Sequence, residues 1–192
     1  MRAIRFALLM IVLFGLGYPA AMTGLAQLIF PHQANGSIIY ENGKPVASEL
    51  IGQPFQRDGY FHGRPSSIQY DASASGSPNY GPSNKELAER MKKDAEQWLN
   101  KVPGKEKNEI PIDLITNSGS GLDPHISPAA ALFQVPMVAK ATGLSEQRLT
   151  RLVKEHIEGR ALGVFGEPRV NVVRLNMAVQ KLVEERSQRN ES

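Results

Sequence analysis

From Phe6 to Phe30 the chain runs for 25 residues without a charged side chain, FALLMIVLFGLGYPAAMTGLAQLIF. As a helix rising about 1.5 Å per residue it spans about 38 Å, more than the roughly 30 Å hydrocarbon core of a bilayer. Two readings compete for it. A retained anchor uses the whole run. A cleaved signal peptide takes Arg2 and Arg5 as its basic start, Phe6 to Leu16 as its apolar core, and Gly24-Leu25-Ala26 as a small-x-small cleavage site. Leu25, Leu28, Ile29 and Phe30 carry the apolar run past that cut, which favours the anchor. Both readings give one topology. Arg2 and Arg5 precede the span and the first basic residue after it is Lys44, so the positive-inside rule keeps residues 1–5 in the cytoplasm and sends residues 31–192 across the membrane. Gly17, Ala20, Ala21 and Gly24 fall on one side of this helix, where small residues admit a partner helix; membrane helices are rich in Gly and Ala in any case. Pro19, lacking an N–H, is expected to disturb one turn and kink the helix.

Composition narrows the rest. The chain has 192 residues and no cysteine, which excludes a disulfide scaffold, thiolate zinc sites and thiol catalysis. Its formal charge is +3; with Arg2 and Arg5 set aside the balance is +1, no footprint for a polyanion.

After the span, residues 34–82 are rich in Gly, Pro, Ser and Asn. Asn42-Gly43 between short apolar pieces predicts a hairpin over Gly36 to Leu50. Residues 62–82 support no regular element, and a loop of that length is usually functional or docks on something. Ser83-Asn84-Lys85-Glu86 reads as a capping box opening a helix whose apolar face is Leu87, Met91, Ala95 and Trp98. Ile110 to Thr116 reads as a short buried strand. Ser127-Pro128 starts a helix expected to break or restart at Pro136 and to end at Gly143. Ser145 caps the next, with Leu149, Leu152, Val153 and Ile157 on its apolar side; Val172, Leu175, Val179, Leu182 and Val183 mark the last, followed by a polar, frayed tail from Arg186. The fold class is therefore α+β. A single transmembrane helix (6–30) precedes one mixed α/β extracytoplasmic domain (31–192) with few strands and about four helices, near 84–100, 128–142, 146–158 and 171–186.

Chemistry is sparse. Val138 to Leu152 has the outline of a helix-turn-helix, but a charge balance of +1 and a location across the membrane from DNA argue against nucleic acid as a partner. Ser118-Gly119-Ser120-Gly121 after the expected strand could form a nest of N–H groups for an anion, or simply a tight turn in which Asp123 and His125 hydrogen-bond; it lacks a P-loop lysine. His32, His62, His125 and His156 have no metal-ligand spacing, and Ser118 and Ser120 no nucleophile elbow, so no metal site and no catalytic residue is assigned. Arg64-Pro65-Ser66-Ser67 matches no catalytic motif. The charges of Glu167-Pro168-Arg169 are read as ties between that corner and its neighbours.

Several blocks together carry a resemblance. They are Phe61-His62-Gly63-Arg64-Pro65-Ser66, Gly81-Pro82-Ser83-Asn84, the run from Thr116 through Ser118-Gly119-Ser120-Gly121-Leu122-Asp123-Pro124-His125 to Pro128, and Gly166-Glu167-Pro168-Arg169-Val170-Asn171. With the N-terminal span, they resemble the C subunit of the Kdp-type potassium-transporting ATPase. Tyr80 and Ser83 stand where that family often has Leu and Thr. The resemblance implies an accessory, non-catalytic subunit of a potassium uptake complex in the bacterial inner membrane, partnered by a potassium-channel-like subunit and a P-type ATPase subunit that holds the hydrolytic site. It also implies a catalytic-chaperone role that raises the ATPase subunit's affinity for ATP. No cofactor is expected to be held firmly by this chain; ATP would act through the partner subunit. Ser118, Gly119, Ser120, Gly121, Asp123 and His125 become the candidate nucleotide or partner contacts. Because the charge argument puts them outside the cell, docking on the potassium-conducting subunit is preferred to nucleotide contact.

Overall fold

The computed structural model describes residues 2–41 and 43–191. The chain divides into two compact units, Met1–Ser48 and Glu49–Ser192.

In the first unit, α1 (Arg2–Val12), a π-helical turn (Leu13–Gly17) and α2 (Tyr18–Ile29) form one apolar helix of 28 residues, none of them buried within the chain. The disturbance from Pro19 takes the form of the π turn: Tyr18 N–H bonds to Leu13 O, one residue further back than in an α-helix. That wider turn lies directly before the proline, whose ring would otherwise press on the preceding turn. Gly17, Ala20, Ala21 and Gly24 are all exposed. A short α3 (Pro31–Ala34) leads to β1 (Ile38–Glu41) and β2 (Lys44–Ser48), an antiparallel pair with Ile38 opposite Ser48 and Glu41 opposite Lys44. This is the expected hairpin. Asn42 of its turn lies outside the described residues; Gly43 has φ +75°, a conformation that glycine adopts without a Cβ penalty. The hairpin clusters with the helix, and the second unit begins at Glu49.

The second unit contains α4 (Lys85–Lys101), α5 (Pro128–Thr142), α6 (Glu146–Glu155), α7 (Val172–Glu191) and a small antiparallel sheet. The sheet's order is β3 (His125–Ile126), β5 (Arg169–Asn171), β4 (Ile157–Glu158). Helix α5 runs through the middle. Ala130, Ala131, Phe133, Gln134, Val135, Met137, Val138 and Ala139 are all buried, so it is enclosed nearly all round, as core helices are. It does not break at Pro136. The proline deprives only the Leu132 carbonyl of its bond, at an exposed position, while apolar packing on both flanks holds the helix. Its start is as expected, with the Ser127 hydroxyl accepting from Ala130 N at 3.0 Å.

Four other expectations are corrected. The cap of α4 is Asn84, not Ser83; its side chain accepts from the N–H groups of Glu86 and Leu87, while Glu86 accepts from the Tyr80 hydroxyl. Ile110 to Thr116 is not a strand. Ile110 and Leu114 are buried while Ile112, which would share their face in a strand, is 61% exposed; residues Ile112–Leu114 form a 3-10 turn. Pro111, with no N–H to give a ladder, favours the turn, and Asp113 is thereby aimed at Ser127, accepting from its N–H (2.6 Å) and hydroxyl (3.2 Å). Finally, α6 stops at Glu155, so Ile157 leaves the helix and pairs with Val170 in the sheet. The segment after Arg186, expected to fray, continues α7 to Glu191. The Ser145 cap of α6 and the core residues Leu144, Leu149 and Val153 are as expected.

The irregular stretch between Glu49 and Asn84 poses an accounting problem, because buried backbone groups need partners. Phe61 is fully buried without belonging to helix or sheet. Its N–H donates to Asn176 Oδ1 (2.7 Å) and its carbonyl accepts from Asn176 Nδ2 (2.8 Å). The next residue repeats the arrangement with Gln134 of α5: His62 N–H donates to Oε1 (2.7 Å) and its carbonyl accepts from Nε2 (3.1 Å). Two buried side-chain amides thus stand in for a neighbouring strand.

Candidate functional site

The Gly/Ser loop after the 3-10 turn is held from inside and from one side. Inside, Ser118, which is 3% exposed, accepts from Gly121 N–H at 2.8 Å, and Ser120 accepts from Leu122 N–H at 3.0 Å. Both hydroxyls therefore bond within the loop, as short polar side chains in turns commonly do. Gly121 has φ +74°, and a Cβ built there would lie 2.6 Å from Ile68 and 3.1 Å from the Gly76 carbonyl.

From the side, residues 64–76 strap across the loop. Ser66 donates to Gly121 O at 2.7 Å and accepts from Tyr70 N at 2.9 Å. Gly76 N–H reaches Ser120 O at 2.8 Å, Asn117 donates to the Ser67 hydroxyl, and Ser118 N–H reaches Pro65 O at 3.3 Å. Gly52 N–H bonds to Leu122 O at 2.8 Å, so close that a Cβ on Gly52 would meet Asp123 O at 2.8 Å.

The charged members meet at one end. Arg64 Nη2 donates to Asn117 O at 2.8 Å, and Nη1 lies 3.7 Å from Asp123 Oδ2. Asp123 Oδ1 accepts from His125 N at 3.0 Å and sits 3.2 Å from His125 Nδ1. Burial alone would raise the Asp123 pKa. The hydrogen bonds from His125 and the charges of His125 and Arg64 outweigh it, and the carboxyl is held below its ordinary value. Tyr70 donates to the Arg64 carbonyl, and burial, with the Asp123 charge beside it, pushes its hydroxyl up to about 12.

The Tyr70 shift has a testable consequence. A phenol whose pKa rises on folding contributes stability that is complete below pH 10 and disappears as pH rises from there to about 12. We expect unfolding free energy to fall by up to ~2 kcal/mol across that interval, and the fall to vanish in Tyr70→Phe. Denaturant titrations followed through Trp98, the chain's sole tryptophan, buried in the second unit, will read it.

Beside the strap lies a groove of about 700 Å³ lined by Phe55, His62, Arg64, Tyr70, Trp98 and Lys101 among others. Burial and the Lys101 charge lower the His62 pKa, and Lys101 itself pairs with Asp58 at 2.7 Å. Among the described residues no group of three or more His, Cys, Asp or Glu is placed to hold a metal ion. The bonds of Ser118 and Ser120 are those of a rigid frame, with Gly119 and Ser120 exposed at its apex.

Comparison with known proteins decides what this frame belongs to. A family profile described as KdpC, the c chain of the K+-transporting ATPase, matches residues 1–181. The chain belongs to the KdpC family. It is 56% identical over 178 residues to the potassium-transporting ATPase KdpC subunit of Caldanaerobacter subterraneus subsp. tengcongensis, covering 93% of this chain and 92% of that one. It is 51% identical over 181 residues to the KdpC subunit of Bacillus cytotoxicus, covering 94% of each. As a KdpC-family chain it is a subunit of a membrane-bound potassium-transporting ATPase complex. The exposed apolar helix fits that setting.

Two of the blocks that carried the resemblance, 61–66 and 116–128, turn out to be one interlocked structure. All six candidate contact residues lie in it. Sequence reasoning missed Arg64, Ser66 and Gly52, whose roles depend on contacts at sequence separations of 52 to 70, and Tyr70, which bonds to Ser66 and Arg64 within the strap. The nearest signal was a lone Arg in one Gly/Pro/Ser block and a lone Asp in the other.

Proposed function

We propose that this chain is the non-catalytic, single-pass subunit of a high-affinity ATP-driven potassium uptake complex. Its N-terminus is cytoplasmic, its helix lies in the bilayer, and residues 31–192 are extracytoplasmic. There the second unit docks over the outer face of the potassium-conducting subunit, with the 116–128 frame among its contacts, and assists assembly. Hydrolysis belongs to the P-type ATPase subunit. Any gain in that subunit's ATP affinity is transmitted through the assembled complex and not by nucleotide held at Ser118 to Gly121.

The observation that carries this reading is the family match over residues 1–181, joined to an apolar helix whose only charged residues, Arg2 and Arg5, lie in its N-terminal turns. One feature speaks against nucleotide at the Gly/Ser loop: the N–H groups of Gly121 and Leu122, which an anion nest would need, already donate to the Ser118 and Ser120 hydroxyl oxygens.

Fusion of a topology reporter after residue 192 tests the orientation. An enzyme active only outside the cytoplasm is expected to be active there, and a fluorescent protein that matures only in the cytosol is expected to stay dark; the reverse pair of results overturns it. Affinity purification of the tagged full-length chain is expected to bring down two larger membrane subunits, with ATP hydrolysis in the assembly and none from this chain alone.

A further inference from the structure

The groove beside the strap contains one imidazole, and its surroundings fix what a proton there would do. The His62 backbone is clamped on both sides by Gln134 of α5, so only the ring is left to answer a change in charge. That ring packs on Trp98 of α4, with centroids 5.4 Å apart and planes inclined at 58°. Its Nε2 lies 3.3 Å from the carbonyl of Arg57, on the loop that lends Gln53, Pro54, Phe55 and Gln56 to the groove lining. A carbonyl only accepts, so in the neutral ring Nε2 carries the hydrogen and Nδ1 takes the added proton. Trp98 is 7% exposed; the imidazole contacts one part of the indole and Phe133, at 6.1 Å, another.

The charged groups around the ring come from three elements. Helix α4 supplies Lys101 and Asp94, both in the lining. The loop supplies Arg57 and Asp58, and the strap supplies Arg64, which is drawn toward Asp123. From α5 the contact is the neutral Gln134, with Lys140 acting on Asp58, and from α7 the nearest polar group is the uncharged Asn176 on Phe61. Two of these charges act on His62, and in opposite senses. Lys101 disfavours the imidazolium and Asp58 favours it. They are already bound to each other at 2.7 Å, and Asp58 is the more exposed of the two. A proton on His62 therefore sets two cations in competition for one carboxylate. Contact with the buried indole is the wrong place for the new charge, which gains by moving to solvent and to Asp58.

We propose that His62 is an acid-operated latch on this groove: neutral, the ring closes the groove against Trp98, and protonated, it swings to solvent and the Asp58 carboxylate and leaves the indole open to the groove. Such a device needs one titrating side chain and two positions for it, and both are present here. The latch works within the second unit and stands whichever side of the membrane that unit occupies.

Trp98 is the chain's sole tryptophan, so its emission reads the latch in the full-length chain in a neutral detergent. As pH falls from about 8 to about 5, quenching by acrylamide, an uncharged probe, is expected to rise about twofold or more. The midpoint is expected below the ordinary histidine value of 6.5, because burial and Lys101 both oppose the charge. His62→Gln keeps the backbone clamp and a donor for Arg57 O, and is expected to abolish the rise. Lys101→Met is expected to raise the midpoint by about half a pH unit and Asp58→Asn to lower it, shifts that a ring acting only as filler would not show. Asp94→Asn removes the other lining carboxyl that burial pushes up, and is expected to leave the rise in place. Flat quenching across the range overturns the latch, as does a rise that survives in His62→Gln or a midpoint indifferent to Lys101 and Asp58. Far-ultraviolet circular dichroism is expected to stay constant throughout; helix lost in step with the quenching also overturns it, because unfolding would then be what uncovers Trp98.

Discussion

Replacing Asn176 by leucine is expected to lower the thermal midpoint of the second unit by about 10 °C, an effect of ~3 kcal/mol. The side chains are close in size, so little volume changes. What changes is that Phe61, fully buried, loses the acceptor for its N–H and the donor for its carbonyl together. Each buried group left without a partner costs about 1–3 kcal/mol, and no ladder exists at this position to take over. Asn176 is itself 1% exposed, so the replaced contacts lie away from bulk water. Trp98 fluorescence of the full-length chain in detergent is the readout, since the membrane helix contains no tryptophan. A shift of only a degree or two would mean that Phe61 finds other partners, and the clamp would lose its assigned role.

The second large effect is expected at Gly121→Ala. One methyl group brings two costs: a left-handed backbone at φ +74°, and a contact of 2.6 Å with Ile68 and 3.1 Å with the Gly76 carbonyl. Together they amount to ~3 kcal/mol. The two parts separate in a double variant. Adding Ile68→Ala removes the side-chain clash and is expected to recover part of the loss, while the conformational cost persists, so the pair is non-additive. Strict additivity of the two changes, measured by denaturant unfolding through Trp98, would show that the strap and the loop do not press on each other as described.

The ties within the Glu167-Pro168-Arg169 corner show how far local chemistry reaches. Both charges were read as links to neighbours, and both are: Glu167 to Arg160 and Arg169 to Glu158. Capping of α5 and α6 by Ser127 and Ser145 was equally legible, because each cap bond closes within four consecutive residues. The burial of α5 through Pro136 was not. A proline's local cost is visible in any sequence; the packing on every side that offsets it is not.

The same boundary divides the site. Gly/Ser composition marked the 118–121 loop, whereas the strap that holds it, and the pairing of Arg64 with Asp123, arise only when residues far apart in the chain are packed together. What the sequence determined by itself was set by short range or by bulk hydrophobicity: the apolar N-terminal helix, the starts of α5 and α6, the period of the apolar faces. Tertiary structure alone decided which irregular segment is buried, which side-chain amides satisfy it, where Ile157 leaves its helix for the sheet, and which apolar residues are left outside at 162–165. The physical reason is that a buried backbone group accepts any partner of suitable geometry, and only the folded chain fixes which partner is within reach.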